Sequence, residues 1–184
     1  MEKISSNIDH NAILEFWFQA QNKPLWFASS PEFDQIIKDK FYHVYEQAYM
    51  DNLMYWKEFA EGALALVIVF DQFSRNIFRN LPQSYATDKR ALQISNYAIK
   101  NGFDQKLTTE QKHFLYMPFM HSEDIKDQEI SLRLFADVPE VLTYAKAHME
   151  IIQKFGRFPA RNKALRRVST REELQFLREP ISCV

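Results

Sequence analysis

A chain of 184 residues has the usual size of one domain and is long enough to bury a core. Hydrophobic residues make up 46% and aromatics 15%, whereas 3 glycines stand where average usage gives roughly 13, which argues against turn-rich sandwiches and barrels and for helices. The net charge of −1 gives no general attraction to nucleic acid or to an anionic membrane, so neither is expected as a partner.

The opening stretch has no basic segment leading into an apolar one, so no signal peptide is expected. "AILEFWF" then starts a short helix. Pro31 suits the first turn of the next, with Phe33, Ile36, Ile37, Phe41, Val44 and Tyr45 at helical intervals. Gly62 to Phe73 is apolar on nearly every side, as a central buried helix is. Its longest apolar run, Ala63 to Phe70, is far short of the ~20 residues of a membrane span. "TDKRALQISNYAIKNG" is amphipathic, and Gly102 fits its C-terminal end. Thr108 and Gln111 make a capping box for a helix through His121 that Pro118 should kink, turning His121 and Glu123 inward. Ser122 is the expected cap of a helix to about Asp137. Pro139 opens another, closed after Phe155 by Gly156, and Ser169 with Glu172 caps a last short one. The expected fold is therefore all-α, a single domain over residues 1–184 built of seven or eight helices, without a sequence repeat. The lone cysteine, Cys183, can form no disulfide within the chain and suggests a reducing, cytoplasmic location.

Polar residues interrupt this pattern in a few places. In "VFDQFSRNIFRN", Asp71 and Arg75 continue the stripe of Leu64, Val67 and Ile68, so both are expected to be buried, either as a structural ion pair or as Asp71 orienting Arg75 toward a ligand. From Lys154 to Arg171 there are seven basic residues and no acidic one. That segment is either a solvated loop neutralised by Glu123, Asp124, Asp127 and Glu129, or an anion site in which Arg157 and Arg161 present their forks together. His148 sits at the centre of an apolar face, as a core histidine or as an acid–base group. "HSED" at 121–124 offers an imidazole and carboxylates, but no second histidine at ligand spacing, so no metal is expected. Phosphate-loop, dinucleotide, nucleophile-elbow and zinc-protease motifs are missing from the sequence, and no cofactor is expected.

Taken together, "ILEFWF", "LALVIVFDQFSRNIFR", "ATDKRAL", "FLYMPFMHSEDIKDQEISL" and "HMEIIQKFGRFPARN…RRVSTREELQFL" resemble the bacterial family catalogued as domain of unknown function 924, from about Ile13 to Pro180. The resemblance implies an all-α fold similar to tetratricopeptide-type arrays and brings no established activity. Its pattern covers Asp71, Gln72, Arg75, Asn76 and Arg79, then His121, Glu123 and His148, then Arg157, Arg161 and Asn162. This chain departs from it at Ser74, where proline is frequent, at Ala160, where histidine is common, and at Arg166, where glycine is common.

The favoured expectation is a polar cleft that binds an anionic small molecule or an acidic peptide end through Asp71, Gln72, Arg75, Asn76, Arg79, Arg157, Arg161 and Asn162. The alternatives are an enzyme with His121 or His148 as general acid–base, assisted by Glu123, and a tetratricopeptide-like protein-interaction scaffold.

Overall fold

Side-chain caps set the helix starts. The Asp9 carboxylate accepts the amide of Asn11 and opens α1, His10–Phe18. The Ser30 hydroxyl accepts the amide of Phe33 and, with Pro31 in the first turn, opens α2, Pro31–Tyr49. The computed structural model describes residues 8–178, and Cys183 lies outside them.

Every residue of α3, Ala60–Val67, is buried except Glu61. The expected α-helix to Phe73 does not continue in α form. Ile68–Phe73 is a π-helix, followed by one more α turn, α4, Ser74–Ile77. The amide of Ser74 reaches back five residues to the Val69 carbonyl. The Phe70 carbonyl instead accepts the hydroxyls of Ser74 and Thr87, each at 2.7 Å. Proline at 74 would have neither that amide nor that hydroxyl.

Thr87 therefore does not cap α5, Asp88–Lys100, although it sits at the cap position. Gly102, at φ 69°, takes the left-handed turn after α5. The capping box of Thr108 and Gln111 opens α6, Thr109–Met120, with Pro118 inside it. Two caps lie further along than expected. Asp124, not Ser122, caps α7, Ile125–Leu134, because Ser122 spends its hydroxyl on the Asp124 amide and the Asp127 carboxylate while the chain turns out of α6. Thr170 with Glu173, not Ser169 with Glu172, makes the box that opens α9, Arg171–Phe176. Pro139 opens α8, Pro139–Phe155, and Gly156 at φ 66° closes it.

With α3, the π segment and α4 taken as one run, the described residues form eight helices and no strand. The central run packs against α1, α2, α5 and α6. The aromatic residues fill the space around it: Trp17 lies against Trp26, Phe33, Phe73 and Phe114 with ring centres 5.5–6.3 Å apart. Ile36, expected on the inner face of α2, is exposed. A second, smaller apolar cluster gathers Ile151, Ile152 and Phe158 with Phe155 and Phe176, and holds the basic segment against α8. Among the described residues no helix is long and apolar enough to cross a membrane.

Candidate functional site

The π turn places Asp71, fully buried, where three elements can reach its carboxylate. His121, at the end of α6, faces it through Nδ1 at 2.8 and 3.0 Å from the two oxygens. Gln72 donates its amide to the same group, and Arg75 Nη1 stands 3.3 Å from Oδ1 while also donating to the Asp71 carbonyl. An ionised carboxylate can only accept, so His121 carries its proton on Nδ1, and its Nε2 holds the lone pair when the ring is neutral. Burial alone would raise the Asp71 pKa. Arg75, His121 and the hydrogen bonds outweigh it and hold the carboxyl well below its ordinary range.

Arg75 extends the chain of charge. Its fork grips Asp88, the first residue of α5, at 3.0 and 3.2 Å. From the other side Arg161 Nη1 takes the same Asp88 at 3.2 Å, and Arg161 Nη2 donates to the His121 carbonyl at 2.9 Å. Two guanidiniums thus share one carboxylate, and both lie over the Tyr85 ring, at 5.6 and 4.8 Å. Arg161 is also 4.5 Å from the centre of Phe158. Burial, with the charge of Arg75, lowers the Arg161 pKa, against Asp88 and Glu123. At Arg75 burial acts the same way, but Asp71 and Asp88 prevail and raise it.

His148 completes the group. Its ring lies 6.3 Å from that of His121 and edge-on to Phe158, and Nδ1 donates to the Tyr144 carbonyl at 2.9 Å. Burial, helped by the neighbouring His121, pushes its pKa down to about 4, so it is neutral at pH 7.

The other expected site residues lie elsewhere. Asn76 and Arg79 both bond to Asp34 on α2. Arg157 and Arg161 do not form a joint anion fork. Arg157 is paired in two places with Glu173, at 2.6 and 2.8 Å, and Asn162 joins that pair. The Arg157 bond, opposed by burial, holds the Glu173 carboxyl down at about 2. Glu123 turns to Arg167 and to the Phe158 amide rather than to the Asp71 group, and the Arg167 bond leads the effects that overcome burial and lower its pKa. A shallow depression of about 580 Å³ beside α8 is lined by Glu123, Asp124, Ile125, Ile152, Gln153 and Gly156, and of the expected residues it includes Glu123 alone. The described residues hold no group of three or more histidines, cysteines and carboxylates placed to share a metal ion. Asp34, Tyr85, Asp88 and Glu173 were not among the expected residues. Asp88 lies in the block "ATDKRAL", where an ordinary helix start accounts for it locally.

The family model described as bacterial protein of unknown function (DUF924) matches residues 13–181. The chain belongs to this family. A solved structure of a protein of unknown function from Agrobacterium tumefaciens is 38% identical, with a TM-score of 0.87, over 91% of this chain and 96% of that one. A comparison with curated proteins finds no match. The family model covers all three polar groups around Asp71, Asp34 and Glu173.

Proposed function

We propose that the group around Asp71, Arg75, Asp88, His121 and Arg161 is a binding site for a small anionic molecule. One observation carries the reading. The Nε–H of Arg75, the Nε–H of Arg161 and Nε2 of His121 have no hydrogen-bond partner among the described residues. Their side chains nonetheless reach the surface, with 22%, 12% and 18% exposure. A purely structural network spends its donors inside; this one leaves the Nε–H donors of two guanidiniums at its rim, beside a histidine nitrogen that has no partner among the described residues, all anchored by a fully buried carboxylate. A phosphate or carboxylate is the ligand that such donors fit. The Asp71–His121 pair also supports a second reading, acid–base chemistry on the bound molecule with His121 Nε2 as the proton acceptor. The stacking of α5, α6, α7 and α8 each on the next supports the tetratricopeptide-like description.

The test is thermal denaturation in phosphate, in oxalate and in chloride at matched ionic strength. A specific anion at 100 times its Kd adds about 2.7 kcal/mol to the native state. The extra shift should vanish in Arg161→Gln and survive in Arg157→Gln and Lys163→Ala, which separates binding from the general salting effect of such anions. Equal shifts in all four proteins would refute the site.

A further inference from the structure

We infer that this site takes up a proton together with its anion, on Nε2 of His121. The inference rests on the anion-binding reading above and specifies its chemistry.

The argument is one of charge. Arg75 and Arg161 carry two positive charges, and Asp71 and Asp88, which they contact, carry two negative ones. Glu123, the remaining carboxylate near Arg161, is spent on Arg167. With His121 neutral the group balances, so an arriving anion adds negative charge to a half-buried place with nothing to offset it. Desolvating an uncompensated charge is costly, and the site lowers that cost if one member gains a proton.

The geometry leaves one member able to do so. His148 already uses Nδ1 on the Tyr144 carbonyl and is enclosed by α8 and Phe158, and a charge there would face His121, Arg161 and Arg75 without a carboxylate of its own. Tyr85 lies under the two guanidiniums and has no proton to gain. His121 has the buried Asp71 on Nδ1, facing it with a negative charge, and its Nε2 has no partner among the described residues. Neutral, that nitrogen is an acceptor and repels an anion's oxygen. Protonated, it donates to it. The proton thus adds both a charge and a hydrogen bond to the anion. The ligand class that profits most is a fully ionised group, a dicarboxylate or a dianionic phosphoryl or sulfuryl group, whose oxygens accept from three sides.

Calorimetric titration of the full chain with oxalate and with sulfate tests this, because neither ion changes its own protonation between pH 6 and 8. Repeating the titration in two buffers of different ionisation enthalpy gives the number of protons taken up. Net proton uptake is expected, with affinity falling as pH rises, and His121→Gln should keep weaker binding with no proton uptake. Binding with no buffer dependence in the wild type would overturn the inference while leaving the anion site intact. No binding of either ion at any pH would overturn the reading on which it rests. Equal proton uptake in His121→Gln would place the proton elsewhere and overturn it as well.

Discussion

Replacing His148 with glutamine should flatten the acid limb of the stability curve. The buried ring titrates at about 4 in the fold, below its ordinary 6.5. Between those values the unfolded chain binds a proton that the folded chain refuses, so stability rises with pH there and is lost as pH falls from 6.5 toward 4. From pH 7 to pH 5, one such group removes about 2 kcal/mol, and the full difference is about 3 kcal/mol. Carboxylates do not blur this window much. Asp71 is held below its ordinary 3.8 and Glu123 below its ordinary 4.5, so their contributions disappear only in stronger acid. The depressed His113 titrates in the same direction but is present in both proteins, so it cancels in the comparison. Urea denaturation at pH 7, 6 and 5 should show the wild type losing about 2 kcal/mol more than His148→Gln across that range. Equal losses would mean that His148 accepts a proton inside the fold, and the reasoning from its burial beside His121 and Arg161 would fail.

Arg75→Ala leaves the buried Asp71 carboxylate with only His121 and Gln72, and should cost about 3 kcal/mol in urea denaturation. A loss within about 0.5 kcal/mol, as at ordinary surface positions, would contradict the burial argument. Arg166 is held at φ 54°, a left-handed conformation that costs an L-residue energy, so Arg166→Gly should raise the urea midpoint by the equivalent of about 0.5–1 kcal/mol. A lower midpoint would show that the side chain makes up for the strain. Gly62→Ala drives a Cβ into the Trp56 carbonyl and the Phe59 ring, and should destabilise by about 1–3 kcal/mol; an unchanged melting temperature would mean that the turn before α3 can move aside.

Most of the helical architecture was readable because its causes are local. Pro31, the Thr108–Gln111 box, Gly102 and Gly156 each act within one turn of where they stand, and all mark the helix ends that their chemistry implies. Errors came where two local candidates compete. Ser122 and Asp124 can each cap α7, and the choice depends on how many residues the chain needs to leave α6. The π-helix had no such signal. A π turn needs its displaced carbonyl to be satisfied by something else, and here Thr87, 17 residues on from Phe70, supplies one of the two hydroxyls. Ser74 alone could have been read as a back-bonded helical serine. The left-handed Arg166 was also hidden, though the glycine common at that place in the family points to the conformation that the structure has.

The site divides along the same line. Asp71 and Arg75 were legible as a pair because one helical turn joins them, and their burial follows from the apolar run that precedes them. What decides their chemistry comes from far along the chain: His121 is 50 residues from Asp71, and Arg161 is 73 from Asp88. Periodicity cannot see such pairings, and charge counting misassigned them. The seven basic residues from Lys154 to Arg171 needed carboxylates, and the nearby acidic run at 123–129 looked sufficient. Only Glu123 of that run takes one of the arginines; Glu173 takes Arg157, and Asp88 takes Arg161. The consequence for function follows from that division. Arg157 is neutralised by a buried carboxylate of its own, Glu173, which takes its Nε and Nη2 together while Val168 also accepts from Nη2, so it belongs to the closing of α9 on the basic segment. Arg161 shares its carboxylate with Arg75, so between them the two guanidiniums have more donors than the described residues use. An anion has something to gain at Arg161 and little at Arg157, although the two arginines stand only four residues apart.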